Sequence, residues 1–288
     1  MTQQNHRPRW SQLIHLLHPR QAKPNRINFT TRLEARDIPV PLQCLAPRLA
    51  KTHCVGLHRS ILLQSSYDNQ GLPLGMMQVY NNGLPPQAPK MLEDIVALVC
   101  CLYGGANCNI VGEGPLHFRQ GRYYFTRVKN DYNECHFFPG LSVYYYVLLP
   151  PWLVEQLLTR EAFMHSGVLQ ALYQATQRNK TVLIDMPHQV ITEPMAQLLA
   201  LLQRLPLQDE GQEQVIFNKT VALVEEAITQ AGRGNAHIPP VSHGMDELFT
   251  GAEAGYREQL RQEALMAWCP AWVLAGWRYM RKLKGMHW

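Results

Sequence analysis

Residues 112–158, GEGPLHFRQGRYYFTRVKNDYNECHFFPGLSVYYYVLLPPWLVEQLL, constrain the fold more than any other stretch of the 288-residue chain. In 122–129 and again in 141–149, aromatic and β-branched residues cluster between turns bearing Gly, Asn, Asp and Pro, as half-buried strands require. Pro150-Pro151 then closes the last strand and opens a helix, because proline donates nothing to a ladder but suits a first helical turn. The expected class is α+β: an antiparallel β-barrel or sandwich followed by a helical half.

Upstream, residues 53–64, 74–80 and 94–103 read as strands separated by Asn-Gly, Gly-Gly and Pro-Pro turns, and 106–111 would return against the third. Six or seven short strands over 53–149 are the pattern of a sandwich or barrel, which either fills with side chains or holds one small ligand. Along the late strands Tyr123 and Phe125 share a face, as do Tyr144 and Tyr146, while Tyr124 and Tyr145 take the other. The candidate ligand-binding set is Tyr123, Phe125, Tyr144 and Tyr146, phenols over an apolar floor, with Arg122, Arg127 or His117 near the mouth for an anionic group. The competing reading is that the rings fill the core.

Downstream, Thr192 is placed as an N-cap with Glu193 and Pro194 in the first turn, and Met195, Leu198, Leu199 and Leu202 follow on one helix face. That helix should stop near Leu205-Pro206. After the polar connector 208–213, a second helix carries Phe217, Val221, Val224 and Ile228 on one face and Ile216, Leu223 and Ala227 on a neighbouring one, ending near Gly232 and Gly234.

In this order the pieces resemble the N-terminal effector-binding region of AraC-type transcriptional regulators, whose cupin-like sheet is trailed by two helices. Residues 118–129, then Phe138-Pro139-Gly140 and 141–149, resemble the end of that barrel. Residues 152–158 resemble the helix after it, Ile191-Thr192-Glu193-Pro194-Met195 with Leu198, Leu199 and Leu202 the next, and 217–228 with Val224-Glu225 the last. The resemblance implies small-molecule sensing and a homodimer through the helix pair, with Leu198, Leu202, Phe217, Val221, Val224 and Ile228 at the interface. A hairpin buried wholly against its own barrel is the alternative.

No counterpart of the family's DNA-reading half is expected. Too few residues follow position 230 for two helix-turn-helix units, and Pro270 interrupts the pattern after a helical 256–268. Trp268, Trp272 and Trp277 follow, with a basic tail suited to packing on the chain itself, docking on a partner protein or lying on an anionic surface. DNA would meet only backbone attraction.

Charge sharpens this division. The formal net charge is +5. Residues 1–33 hold six basic residues and no acid, and 264–288 hold four and no acid. Of 27 basic residues, 17 remain for the body against 22 acidic ones, so two basic ends flank an acidic middle. The expected organisation is a basic arm and linker over 1–50, in which Trp10, Leu13, Ile14 and Leu17 form an amphipathic piece, a cupin-like domain over 51–150, a helical dimerisation region over 151–232 and a Trp-rich basic end over 233–288.

Catalytic patterns are weak. His53 and His58, five apart, point to opposite strand faces, and His117 and His136 are isolated, so no metal or other cofactor is expected. There is no Gly-x-Ser-x-Gly elbow, and Gly104-Gly105 lacks the Gly-Lys-Ser/Thr of a phosphate loop. Glu113, Asp131 and Glu134 lie in or near turns. The seven cysteines show no CxxC spacing and read as small buried hydrophobes. With no apolar run of membrane-spanning length and no leader core in the first residues, the chain is expected to be cytoplasmic. The expectation is a non-enzymatic sensing module acting through partner proteins or mixed dimers. A diverged complete transcription regulator and a cupin-type enzyme are the alternatives.

Overall fold

The computed structural model describes residues 26–27, 31–33, 51–57, 60–81, 88–89, 95–110, 114–128, 134–177, 189–204, 210–233, 249–255 and 257–258. Twelve strands come first: β1 (Arg26–Ile27), β2 (Thr31–Leu33), β3 (Lys51–Leu57), β4 (Ser60–Asn69), β5 (Leu72–Asn81), β6 (Ala88–Pro89), β7 (Ile95–Tyr103), β8 (Gly105–Ile110), β9 (Gly114–Arg119), β10 (Arg122–Val128), β11 (Glu134–Phe137) and β12 (Gly140–Leu148). Helices α1 (Pro151–Leu158) and α2 (Gly167–Gln177), the short strand β13 (Gln189–Val190), and helices α3 (Glu193–Arg204) and α4 (Glu210–Arg233) follow. Residues 249–255 are again helical. This is the α+β class read from the sequence.

Eight strands form one antiparallel sheet in the order β13-β10-β7-β12-β5-β4-β3-β2, and β11-β8-β9 form a second. The β4-β5 hairpin closes on two residues of positive φ, Gln70 at 55° and Gly71 at 78°, which matches the twist of its strands. The Asp68 carboxylate accepts the Gly71 N–H at 2.9 Å.

The large sheet is covered on both faces. Leu98, Cys100, Tyr123, Phe125, Tyr145 and Val147 share one cluster with α1 to α4. Leu62, Val79, Cys101, Tyr124 and Tyr144 share another with Ala106, Cys108, Phe118, Cys135 and Phe137 of the small sheet. The adjacent residues Cys100 and Cys101, on opposite faces of β7, therefore both sit at 0 % exposure, because each pleat direction meets an apolar layer.

Several expectations change. The strand read over 53–64 is two, β3 and β4. Residues 106–111 do not return against 94–103: Gly104, at φ +65°, turns the chain out of the large sheet, and β8 pairs with β9 and β11 instead. Ser142 holds that crossing, accepting the Gly105 N–H and donating to the Gly105 carbonyl, each at 3.1 Å. Strands β9 and β11 went unread because their outward positions carry Pro115, His117, Glu134 and His136, leaving few apolar residues to show alternation. Helix α2 was also unread. Helix α4 starts inside the anticipated connector and continues through Gly232. Thr192 precedes α3 and its carbonyl accepts the Ala196 N–H at 2.9 Å, but its hydroxyl is buried without a partner and caps nothing. The amphipathic piece near Trp10 and the Trp-rich end lie outside the described residues.

The cysteine reading also needs correction. Cys108 and Cys135, facing each other in the β8-β11 ladder with Cα atoms 4.0 Å apart, form a disulfide inside the sandwich. Their sequence separation of 27 gave no spacing motif, since strand pairing alone brings them together. Cys100 and Cys101 are buried free thiols. No helix among the described residues is long and apolar enough to cross a membrane.

Candidate functional site

The inner face of the large sheet, toward β8, β9 and β11, carries Tyr124, Tyr144 and Tyr146. Alternation along β12 places Tyr144 and Tyr146 there, and alternation along β10 places Tyr124. Part of this face is filled by rings. Phe118 lies edge-on to Tyr124 and Tyr144 at centroid distances of 4.9 and 5.6 Å, and Phe137 is 6.2 Å from Tyr144. The Tyr124 hydroxyl accepts the Arg119 N–H at 2.9 Å. Burial pushes the Tyr144 phenol well above its usual range and Tyr124 up to about 12, so both are neutral donors over the ordinary pH range.

The same two cross-strand rows hold less buried neighbours, Val99 and Tyr146 in the row of Tyr124 and Met77 and Gln64 in the row of Tyr144. Gln64, Met77, Val99 and Tyr146 are only partly buried there, and the Gln64 amide donates to the Tyr146 hydroxyl at 2.9 Å. The Tyr146 ring lies across Gly75 on β5, where a side chain would collide with it. A phenol paired with an amide, beside a thioether and a valine, offers one hydrogen-bonding edge over an apolar floor, which is the makeup of a site for a planar amphipathic molecule.

The sequence-derived ligand set is thus divided by the sheet itself. Tyr144 and Tyr146 stand on the inner face. Tyr123 and Phe125 stand on the opposite one, under the helices, where the Tyr123 hydroxyl donates to the Ala227 carbonyl of α4 at 2.9 Å. Arg122 has inner-face parity near the β10 edge and is half-buried, whereas Arg127 is buried on the helix side. His117 is exposed on the outer surface of the small sheet, in one cross-strand row with Asn107 and His136. Its Nδ1 is 3.0 Å from the Asn107 side-chain oxygen, and His136 pairs with Glu134 at 3.2 Å. Both imidazoles point away from the interior. Among the described residues no group of three or more His, Cys, Asp or Glu is placed to hold a metal.

The sequence reading missed Gln64, Met77 and Arg119. Gln64 and Met77 are opposite each other in the β4-β5 ladder, a neighbourhood visible only once the register is known. Arg119 donates to Asn107 and to the Phe118 carbonyl, both at 3.1 Å, and its guanidinium lies 5.0 Å from the centre of the Phe138 ring.

Of the anticipated dimer residues, Leu202, Val221, Val224 and Ile228 are buried in the chain's own core. Leu198 and Phe217 are partly buried, and the Phe217 ring stacks on Trp152, itself 39 % exposed, at 6.2 Å and 10°. Leu201 and Val215 are exposed on the same helix pair.

No family model matches the chain, and no curated protein matches its sequence. Among solved structures, the Clostridium difficile EutQ protein aligns at 16 % identity over 32 % of this chain and 69 % of its own, with a TM-score of 0.25. The Schizosaccharomyces pombe Cnp3 cupin domain aligns at 10 % identity over 33 % of this chain and 63 % of its own, TM-score 0.25. A putative mannose-6-phosphate isomerase from Ralstonia eutropha aligns at 17 % identity over 33 % and 87 %, TM-score 0.25. These likenesses reach about a third of the chain and carry no argument about its activity.

Proposed function

We propose that the protein is a non-catalytic small-molecule sensor, similar in plan to AraC-type effector regions, that regulates through partner proteins or mixed dimers. The observation that carries this reading is the partly buried Gln64–Tyr146 pair over Gly75, beside an otherwise ring-packed cluster. Its chemistry suits a neutral or weakly acidic planar molecule whose hydroxyl or carbonyl meets the phenol-amide edge while its ring lies on Met77 and Val99. The dimerising half of the reading rests on the apolar surface left on α3 and α4, where Leu201 and Val215 are exposed and Leu198 and Phe217 partly so.

The test is a thermal-shift screen of phenolic and hydroxylated aromatic acids, run with light scattering on the same samples. A molecule bound only by the folded state raises the melting temperature by mass action. The reading expects a rise that Tyr146→Phe and Gln64→Leu each diminish, and a scattering mass of two chains. No rise with any compound, or a stoichiometric metal in the purified protein that turns such compounds over, refutes it.

A further inference from the structure

The opposite face of the large sheet holds a second polar feature, enclosed rather than open. Gln78 stands on β5 between Met76 and Tyr80 and is 2 % exposed, with apolar Leu63 and Val143 directly across from it on β4 and β12. Neither its amide nitrogen nor its carbonyl oxygen has a hydrogen-bond partner. Tyr145, 1 % exposed and one step along β12 on the same face, has an unpartnered hydroxyl as well. Diagonal neighbours across adjacent strands lie within reach of long side chains, so the two orphan groups lie within reach of each other on one face.

The helices packed on this face are tied to the sheet at several points. Helix α4 is fastened over β4 by the Asn69 amide donating to the Glu213 carbonyl at 2.9 Å, and over β10 by Tyr123 donating to Ala227 at 2.9 Å. At the other end of the sheet, the Phe249 ring lies 5.7 Å from Tyr103, in the same cross-strand row as Val143 and Gln78. The Tyr103 hydroxyl donates to Glu253 at 3.2 Å, and Arg257 donates to the same carboxylate at 2.8 Å. Gln78 shares its cross-strand row with Tyr103, and Tyr145 shares its row with Tyr123.

We propose that the Gln78 amide and the Tyr145 hydroxyl form a second binding site, on the helix side of the large sheet, for a small uncharged molecule presenting a hydrogen-bond donor beside an acceptor. A primary carboxamide has two donors and an acceptor, and a lactam, amide or pyrimidine edge meets it with two parallel hydrogen bonds. The Tyr145 phenol donates to a further acceptor. The ligand is uncharged because Leu63, Met76, Val143 and the neutral Cys100 thiol supply no counter-charge, and a buried ion without one is strongly disfavoured. Buried amides are paired in nearly all folded proteins, which makes a doubly orphaned one informative. The sheet separates this site from Gln64 and Tyr146, so each stands or falls alone.

Acetamide, 2-pyrrolidinone and uracil, added at millimolar concentration to the full chain, are the probes. At least one raises the melting temperature of the unaltered protein and shifts the nitrogen-labelled side-chain amide resonance of Gln78. Gln78→Met abolishes the rise, Tyr145→Phe weakens binding about tenfold, the loss of one hydrogen bond, and Tyr146→Phe leaves it unchanged. If Gln78→Met fails to fold, the resonance shift in the unaltered protein decides. The proposal is overturned if no probe moves that resonance or the melting temperature, as when Gln78 binds only water, or if the rise survives in a folded Gln78→Met protein.

Discussion

Gly75 and Tyr146 are paired across the β5-β12 ladder so closely that a methyl group on Gly75 would lie 2.5 Å from the Tyr146 hydroxyl oxygen and 2.7 Å from its ring carbon. The Ser65 carbonyl, part of the neighbouring β4 backbone, crowds the same point. The missing side chain is what lets the phenol lie down along the sheet and reach Gln64.

Gly75→Ala should therefore destabilise the fold by about 1–3 kcal/mol, the range for overpacking a filled interior. Tyr146→Ala should relieve part of that cost, so the double substitution is less destabilising than the sum of the singles. Denaturant midpoints of the four proteins measure the coupling. Strict additivity would mean that the two side chains do not compete for one space.

Cutting the Cys108–Cys135 bridge releases a closed loop of 27 positions in the unfolded chain. Loop-closure entropy puts its contribution at about 3.6 kcal/mol. Thermal denaturation with and without a dithiol reductant should show a lower melting temperature when reduced, and Cys108→Ala should match the reduced protein. A melting curve indifferent to reductant would leave the bridge without a stabilising role.

Thr192 gives a prediction opposite to its position. A threonine whose hydroxyl caps a helix loses about 1 kcal/mol when replaced, but this hydroxyl is buried and unpartnered. Thr192→Val, which keeps the shape and removes the orphan, should be neutral or stabilising in chemical denaturation. A loss as large as that of a true cap would place the hydroxyl in a hydrogen bond.

Burial raises the Tyr124 phenol to about 12 from 10.0 and pushes Tyr123, Tyr144 and Tyr145 upward too. The folded state thus holds protons that the unfolded state gives up. The associated stability is complete below pH 10, where the unfolded phenols are protonated, and is lost as pH rises through about 12. Phenolate absorbance followed alongside circular dichroism should show these four tyrosines ionising only as the fold is lost. Ionisation near 10.0 with the fold intact would contradict their burial.

What the sequence determined by itself is local. Alternation in 122–129 and 141–149, the Pro150-Pro151 boundary and the helical spacing from Met195 to Leu202 fixed β10, β12, α1 and α3, because backbone geometry sets side-chain periodicity at 2.0 in strands and 3.6 in helices. Periodicity also assigned Tyr123 and Tyr124 to opposite faces. It left open what each face meets, since both faces of β10 and β12 are buried and the usual apolar-in, polar-out contrast disappears. Only the tertiary structure decided that Tyr146 meets Gln64 on the inner face while Tyr123 lies under α4. Register brought Cys108 to Cys135, and the second covering layer left Gln78, an ordinary polar residue in the pattern of β5, buried without a hydrogen-bond partner on the helix-side face.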